Sequence, residues 1–457
     1  MSVIILISFF ILLFFFSYRA KQENLSFLNP KSLNWFLVAF SAGTTANTGF
    51  IVTTAVAMGY SMGISAIVLP LSFLLGDIVY WQIFAPKVHI YASENSVRTI
   101  PDFITKNIEG NSNILKKLIS FSIIIAAVLY TIAQWNATGK LFSGFYNVDP
   151  KICILAFAII VLAYCLIGGF LSSVYADIIQ GIFMMLLATF TTLFCISKIS
   201  HLKAQFAYLF STFITDFHFL SQAGIIFIIG WAAASIGFSF SQPHLLDKII
   251  AAKDEKNVKK ARFVYMFFIQ YTWIGMTLLG ILIKLLYNNI SDFQAEKALA
   301  IFIKLNSNPL LEGIVISGVF ATIASTAASL NISISNYLTS DIFDNKIKIN
   351  SRYILIIVFI LTALPAVLLV KSSVFDLTIF AVSLGAVIAP CMLIKIYQFK
   401  HNQKSMALSL LAAMIITISF KLLHYSDNIL YDIPAGTIVG LITNYTVFRY
   451  TIKKAEL

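Results

Sequence analysis

The chain has 457 residues, 59% of them hydrophobic and only 11% charged, with a mean hydropathy of +0.87. Soluble domains carry roughly 25% charged residues, and no soluble fold could hide so much apolar surface. The net charge of +12 is therefore read against a membrane before it is read as affinity for nucleic acid.

Apolar runs of about 17 to 25 residues, the length that crosses a bilayer core, recur from end to end. They predict an all-α polytopic membrane protein with about 13 spans, near residues 3–17, 34–59, 62–85, 114–143, 151–170, 174–197, 221–247, 261–288, 309–340, 353–370, 374–397, 405–423 and 431–450. The first run, SVIILISFFILLFFF, lacks a basic n-region and a small-residue cleavage site, and Arg19 and Lys21 follow it at once. A retained helix is expected there rather than a cleaved signal peptide.

Polar clusters inside spans are where function is sought, because irregular backbone at membrane depth must be packed in protein or line a cavity. The first is SAGTTANTGF, Ser41 to Phe50, where Gly43 and Gly49 bracket Thr44, Thr45, Asn47 and Thr48. Two readings stand: a broken helix offering carbonyls to an ion, or a close helix crossing of the small-residue kind. Asp77 in LSFLLGDIVYW and Asp177 in FLSSVYADIIQGIFMM are ionisable groups at membrane depth and functional candidates, unless they sit at the interface. In GWAAASIGFSFSQPHLLDK, Ser235, Ser239 and Ser241 lead into Pro243, which cannot continue the hydrogen-bond ladder. This is either a simple kink or a second discontinuous helix. In FATIASTAASLNISISNY, Thr322, Ser325, Thr326 and Ser329 fall on one helical face. Those hydroxyls are interhelical glue or ligands of a hard cation. Gly385 and Pro390 in LGAVIAP mark a flexing point or a packing site.

Other chemistry is poorly supported. Cys153, Cys165, Cys195 and Cys391 lie in apolar runs without metal or redox spacing and read as buried thiols. His244 and His424 read as interfacial, and there is no paired-carboxylate, Ser-His-Asp, HExxH or phosphate-loop pattern in a plausible context. The expectation is no enzyme. With the N-terminus outside, 23 of the 32 Lys and Arg residues fall on the cytoplasmic side, which is the positive-inside signature and accounts for the basic balance without an anionic partner.

Five ordered blocks resemble the sodium/solute symporter family: FSAGTTANTGF, TIPDF at 99–103, LIGGFLSSVYADIIQ at 166–180, SQPHLLDKIIAAK at 241–253 and SGVFATIASTAASLNISISNYLTSDIF at 317–343. The resemblance implies a LeuT-like fold. Two inverted five-helix units, 34–197 and 221–397, would enclose a midplane site, with residues 1–33 and two C-terminal helices in 398–457 added. It also implies sodium ligands from the carbonyls of Thr44, Asn47 and Thr322 and the hydroxyls of Ser325 and Thr326, with Asp177 in ion coupling. The substrate side is expected at Thr45, Thr48, Phe50, Tyr130, Gln134, Ser235 and Ser239. Proline carriers of the family have Asp and Trp where this chain has Ala46 and Phe50, and an aromatic pair where it has Ser235 and Ser239. A pocket more polar than a proline site is expected.

The implied function is sodium-driven import of a small polar solute, an amino acid being the leading class, by alternating access. Sodium is the coupling ion, there is no organic cofactor, and the protein would act as a monomer in the bacterial plasma membrane with the C-terminus cytoplasmic. A transporter-like sensor signalling through a partner protein is the alternative. A channel is disfavoured by the lack of a repeated pore loop.

Overall fold

The computed structural model describes residues 1–21, 33–108, 112–201, 204, 205, 207, 211, 222–287, 292–306, 308–343, 350–423 and 431–455. Lys31, His424 and most of the 198–220 connection lie outside the described residues.

Among the described residues, ten helical runs are long and apolar enough to cross a membrane. Two of them double back. Ile51–Glu94 turns at Gly63 (φ 65°, ψ −144°), a left-handed backbone open to glycine at little cost. Pro150–Lys198 has 49 residues, about 74 Å at 1.5 Å per residue and too long for one crossing. It breaks at Gly168 (φ −144°) and Gly169 (φ 59°). With these two splits and the terminal helix Asp432–Ala455, thirteen crossing segments result.

In chain order the helices are α1 (Ser2–Lys21), α2 (Trp35–Ala46), α3 (Val56–Met62), α4 (Val68–Val79), α5 (Ala85–Glu94), α6 (Ile100–Thr105), α7 (Asn113–Tyr146), α8 (Pro150–Lys198), α9 (Gln222–Ser241), α10 (Pro243–Ile250), α11 (Glu255–Leu286) and α12 (Ala298–Asn306). Then follow α13 (Pro309–Tyr337), α14 (Ser351–Leu368), α15 (Val374–Ala386), α16 (Ala389–Ile396), α17 (Gln403–Leu422) and α18 (Asp432–Ala455). The span expected at 62–85 runs on to Glu94, and the TIPDF block forms a short helix of its own.

Helix α13 is the axis of the bundle, with every residue from Gly313 to Tyr337 buried. Its stretch of Ala, Ser, Thr and Gly lets neighbours approach closely, the usual basis of helix packing in lipid. Helix α1 packs on it through Phe9 and Phe10, whose rings lie 5.7 and 4.9 Å from Phe320. Two of the expected irregularities are real breaks: Asn47 (ψ 93°) ends α2 and Gln242 (ψ 107°) separates α9 from α10. Between α15 and α16, Val387 and Ile388 keep right-handed helical angles, so the chain there only tightens into a turn. Gly385 also has a packing role, since a Cβ there would come within 2.9 Å of Ser241 Oγ.

Candidate functional site

The opening stretch folds as a broken helix whose two halves are fastened by different means. Thr45 Oγ1 donates to Ser41 O (2.8 Å) and Ala42 O (3.2 Å) within α2, while Gln134 Oε1 accepts the Gly49 N–H at 2.6 Å and Thr48 Oγ1 accepts the Phe50 N–H at 3.1 Å. Close crossing accompanies the break, because a Cβ on Gly49 would lie 2.7 Å from Ala137 Cβ. The stretch is thus both broken and closely crossed.

At the break, α2 meets α13 through oxygens. Ser325 Oγ donates to Thr44 O and to Thr322 O, both at 3.2 Å, and Thr326 Oγ1 donates to Thr45 O at 2.9 Å and reaches Asn47 O at 3.5 Å. Thr44, Thr45, Asn47, Thr322, Ser325 and Thr326 are all at most 2% exposed. Four carbonyls and two hydroxyls converge here without a buried charge among them, an oxygen set of the kind that suits a hard monovalent cation. The two halves of this cluster are about 280 residues apart in the chain.

Beside it lies a buried ion pair. Asp177 Oδ2 accepts Ser41 Oγ at 2.5 Å and stands 3.9 Å from Lys248 Nζ, with the two charged side chains 0% and 1% exposed. Thr44 Oγ1 donates to the Asp177 carbonyl at 3.2 Å, tying the pair to the broken helix. Lys248 also points at Ser329 Oγ (3.4 Å) and over the Phe170 ring (4.4 Å). Next to it, Asp247 accepts Ser333 Oγ at 2.5 Å and Tyr337 OH at 3.3 Å. Asp177 and Asp77 are both withdrawn from the protein surface, each 0% exposed. Lys248, one of the cations counted on the cytoplasmic side, is likewise withdrawn from solvent.

On the other side of the break is a cavity of about 510 Å³ of non-atom space. Ala46, Thr48, Phe50 and Tyr130 line it, with Thr378 and the aromatics Phe73, Trp231, Phe238, Tyr265 and Trp273. Of the residues expected on the substrate side, Thr48, Phe50 and Tyr130 line this cavity. The other four do not. Thr45 turns its hydroxyl back onto α2, Gln134 is engaged with Gly49, Ser235 donates to Asp77 Oδ1 at 2.7 Å, and Ser239 does not line the cavity. The wall is mainly aromatic, in contrast to the polar pocket expected. Helix α9 presents Trp231 and Phe238 to the cavity, Trp231 one turn before Ser235 and Phe238 next to Ser239. The rings form a continuous wall: Phe50 stacks on Trp273 (5.8 Å), Trp273 on Phe73 (4.9 Å), and Phe238 meets both Phe73 (5.9 Å) and Tyr130 (6.1 Å). A single sequence marks such rings only as apolar residues, so nothing distinguished them from core.

The TIPDF block closes one end of the bundle. Thr99 caps α6, its Oγ1 donating to Asp341 Oδ1 at 3.1 Å, while Lys116 Nζ reaches Asp341 at 2.9 Å and Tyr337 OH accepts the Ile100 N–H at 3.3 Å. Thr99→Ala removes both a cap and a partner of a buried carboxylate. It is expected to cost about 1 kcal/mol from the cap alone, seen as a lower melting temperature in detergent, and Thr99→Ser should restore most of it.

The profile of the sodium:solute symporter family matches residues 26–416, most of the chain. This protein belongs to the sodium:solute symporter family. It is 25% identical over 458 residues to the osmoregulated proline transporter OpuE of Bacillus subtilis, covering 96% of this chain and 92% of that one. It is 25% identical to sodium/proline symporter 2 of Staphylococcus saprophyticus, covering 99% and 93%. A Na+-coupled sialic acid symporter solved in a substrate-bound outward-open state superposes with a TM-score of 0.82 at 14% identity, covering 97% of this chain and 96% of that one. Mhp1, a nucleobase-cation-symport-1 family transporter in a closed conformation, gives a TM-score of 0.58 at 12% identity over 94% and 96%. At these identities the superpositions establish the fold, the LeuT-like arrangement. As a family member the protein is a sodium-coupled solute symporter of the membrane, with sodium and a small solute as the species it binds.

Proposed function

We propose that sodium binds between α2 and α13 and couples the import of a small organic solute held in the aromatic cavity. The carrying observation is the oxygen cluster joining Thr44, Thr45 and Asn47 to Thr322, Ser325 and Thr326. In the present arrangement the two hydroxyls are spent on carbonyls of the broken helix. A sodium ion would take up the carbonyls of Thr44, Asn47 and Thr322 and the hydroxyls of Ser325 and Thr326, with Thr45 contributing through its carbonyl and not its side chain. Holding α2 to α13 in one state and releasing it in the other gives the ion the differential affinity that coupling requires. Asp177 senses the same junction through Ser41 and the Thr44 hydroxyl, and its charge is already met by Lys248.

The division into inverted units 34–197 and 221–397 is supported by their first helices, which break alike at Asn47 and at Gln242. Amino acids are the leading solute class, because the curated relatives carry proline. A bacterial plasma membrane and a cytoplasmic C-terminus are favoured by the kinship with bacterial carriers and by the charge bias of the loops. Opening toward that side would part the network of Thr99, Asp247, Tyr337 and Asp341.

One positive charge moving down 100 mV contributes about 2.3 kcal/mol, so a neutral solute should accumulate roughly fiftyfold at about 1.4 kcal/mol per decade. Uptake of labelled proline into proteoliposomes is the test. Accumulation should require inward sodium and rise with an inside-negative potential; equal accumulation with sodium replaced by potassium on both sides would overturn the reading.

A further inference from the structure

Asp77 is the buried carboxylate that the symport reading leaves unused. It is 0% exposed, its Oδ1 accepts Ser235 Oγ at 2.7 Å, and its Oδ2 has no hydrogen-bond partner. Among the described residues no cation pairs with it, in contrast to Asp177 with Lys248 and Asp341 with Lys116. It stands one helical turn beyond Phe73, and Ser235 stands one turn before Phe238, so the pair lies one turn from two lining residues without itself lining the cavity. The site is held tightly. A Cβ on Gly76 would fall 2.1 Å from Ala232 O and 2.6 Å from Ser235 Cβ, so α4 and α9 are pressed together at this carboxylate.

The neighbouring cavity offers many aromatic faces and few donors. Seven lining residues are aromatic and none is charged. At the start of the second half of the broken helix, the amides that could grip an anion are already taken: Gly49 by Gln134, Phe50 by the Thr48 hydroxyl and Ile51 by the Thr48 carbonyl. An uncompensated buried carboxylate next to an aromatic cage is the surrounding that favours a positive charge, through ring quadrupoles and direct charge pairing.

We propose that the solute presents a cationic nitrogen to this cavity, with Asp77 as its counter-charge and Phe73, Phe238 and Trp273 as the faces around it. The inference rests on the symport reading of the same cavity. The nitrogen can belong to a simple organic ammonium or to a zwitterion, and the probes below separate these.

The test is a thermal-shift and binding series on the purified full-length protein, in sodium and in potassium. The probes are choline with its neutral tert-butyl isostere, and proline with its ring-oxygen analogue. At least one nitrogen-bearing probe should stabilise the wild-type protein while its partner lacking the cationic nitrogen does not; choline alone indicates a simple ammonium, proline alone a zwitterion. Asp77→Asn should weaken that binding at least tenfold, about 1.4 kcal/mol, Asp77→Glu should recover part of it, and the shift produced by sodium alone should persist in both. Equal stabilisation by a partner lacking the cationic nitrogen, no response to either nitrogen-bearing probe, or loss of the sodium shift in Asp77→Asn with the amine response intact would overturn the proposal. The isostere comparison needs no variant, so a poorly folding Asp77→Asn does not rescue it. Amine binding that obeys these rules equally in potassium would sustain the role of Asp77 and sink sodium coupling instead.

Discussion

Replacing Ser325 or Thr326 by alanine is expected to lower sodium affinity at least tenfold, and the double replacement to abolish sodium-driven uptake. Each hydroxyl is proposed as a direct ligand, and each now satisfies carbonyls of the broken helix: Ser325 that of Thr44, Thr326 those of Thr45 and Asn47. Removal deprives the bound ion of a ligand, and that loss is what lowers affinity. A lost buried partner costs about 1–3 kcal/mol, and 1.4 kcal/mol is a factor of ten. Ser317 on the same helix is the control, being fully buried with no hydrogen-bond partner for its hydroxyl; Ser317→Ala should leave the sodium dependence unchanged. The measurement is half-saturation by sodium in proteoliposome uptake. Unaltered sodium dependence in Ser325→Ala and Thr326→Ala would remove the oxygen cluster from the mechanism.

Lys248→Met should be the most destabilising single change at the site. It strands Asp177, 3.9 Å away and fully buried, and removes a cation from the neighbourhood of Asp247. Breaking a buried pair from one side typically costs about 3–5 kcal/mol, whereas replacing both partners is often close to neutral. The double variant Lys248→Met with Asp177→Asn should then melt well above Lys248→Met alone. A melting temperature for Lys248→Met equal to the wild type would show that the pair carries no such energy. Sodium that partly restores the single variant would indicate an ion taking the place of the ammonium beside Asp177.

The two charges of this pair illustrate the limit of reading a chain segment by segment. Asp177 lies inside a long apolar run and is conspicuous there. Lys248 follows a proline and stands beside Asp247, a pattern that passes for a polar loop at the end of a span, yet all eight residues of α10 are buried. The available signal was the adjacent Asp and Lys inside LLDKII, opposite charges with apolar residues on either side, which is how a short buried helix bearing a charge pair would read. The cavity gave less warning still. Ser235 and Ser239 stand out in an apolar span, but helical geometry turns Trp231 and Phe238 to the cavity and Ser235 to Asp77.

The sequence by itself determined the membrane class, the thirteen crossings and the two strongest irregularities, because hydropathy over a span and breaks by Gly, Asn and Pro are local properties that lipid enforces. It also placed oxygen-rich stretches on α2 and α13, since hydroxyl spacing on a helix face is visible along the chain. Only the tertiary structure decided which oxygens meet, that Thr45 faces α13 with its carbonyl, that Lys248 stands beside Asp177, and that the cavity wall is aromatic. Those facts depend on helix rotation and on contacts between residues up to about 280 positions apart, which packing sets and periodicity along the chain does not encode.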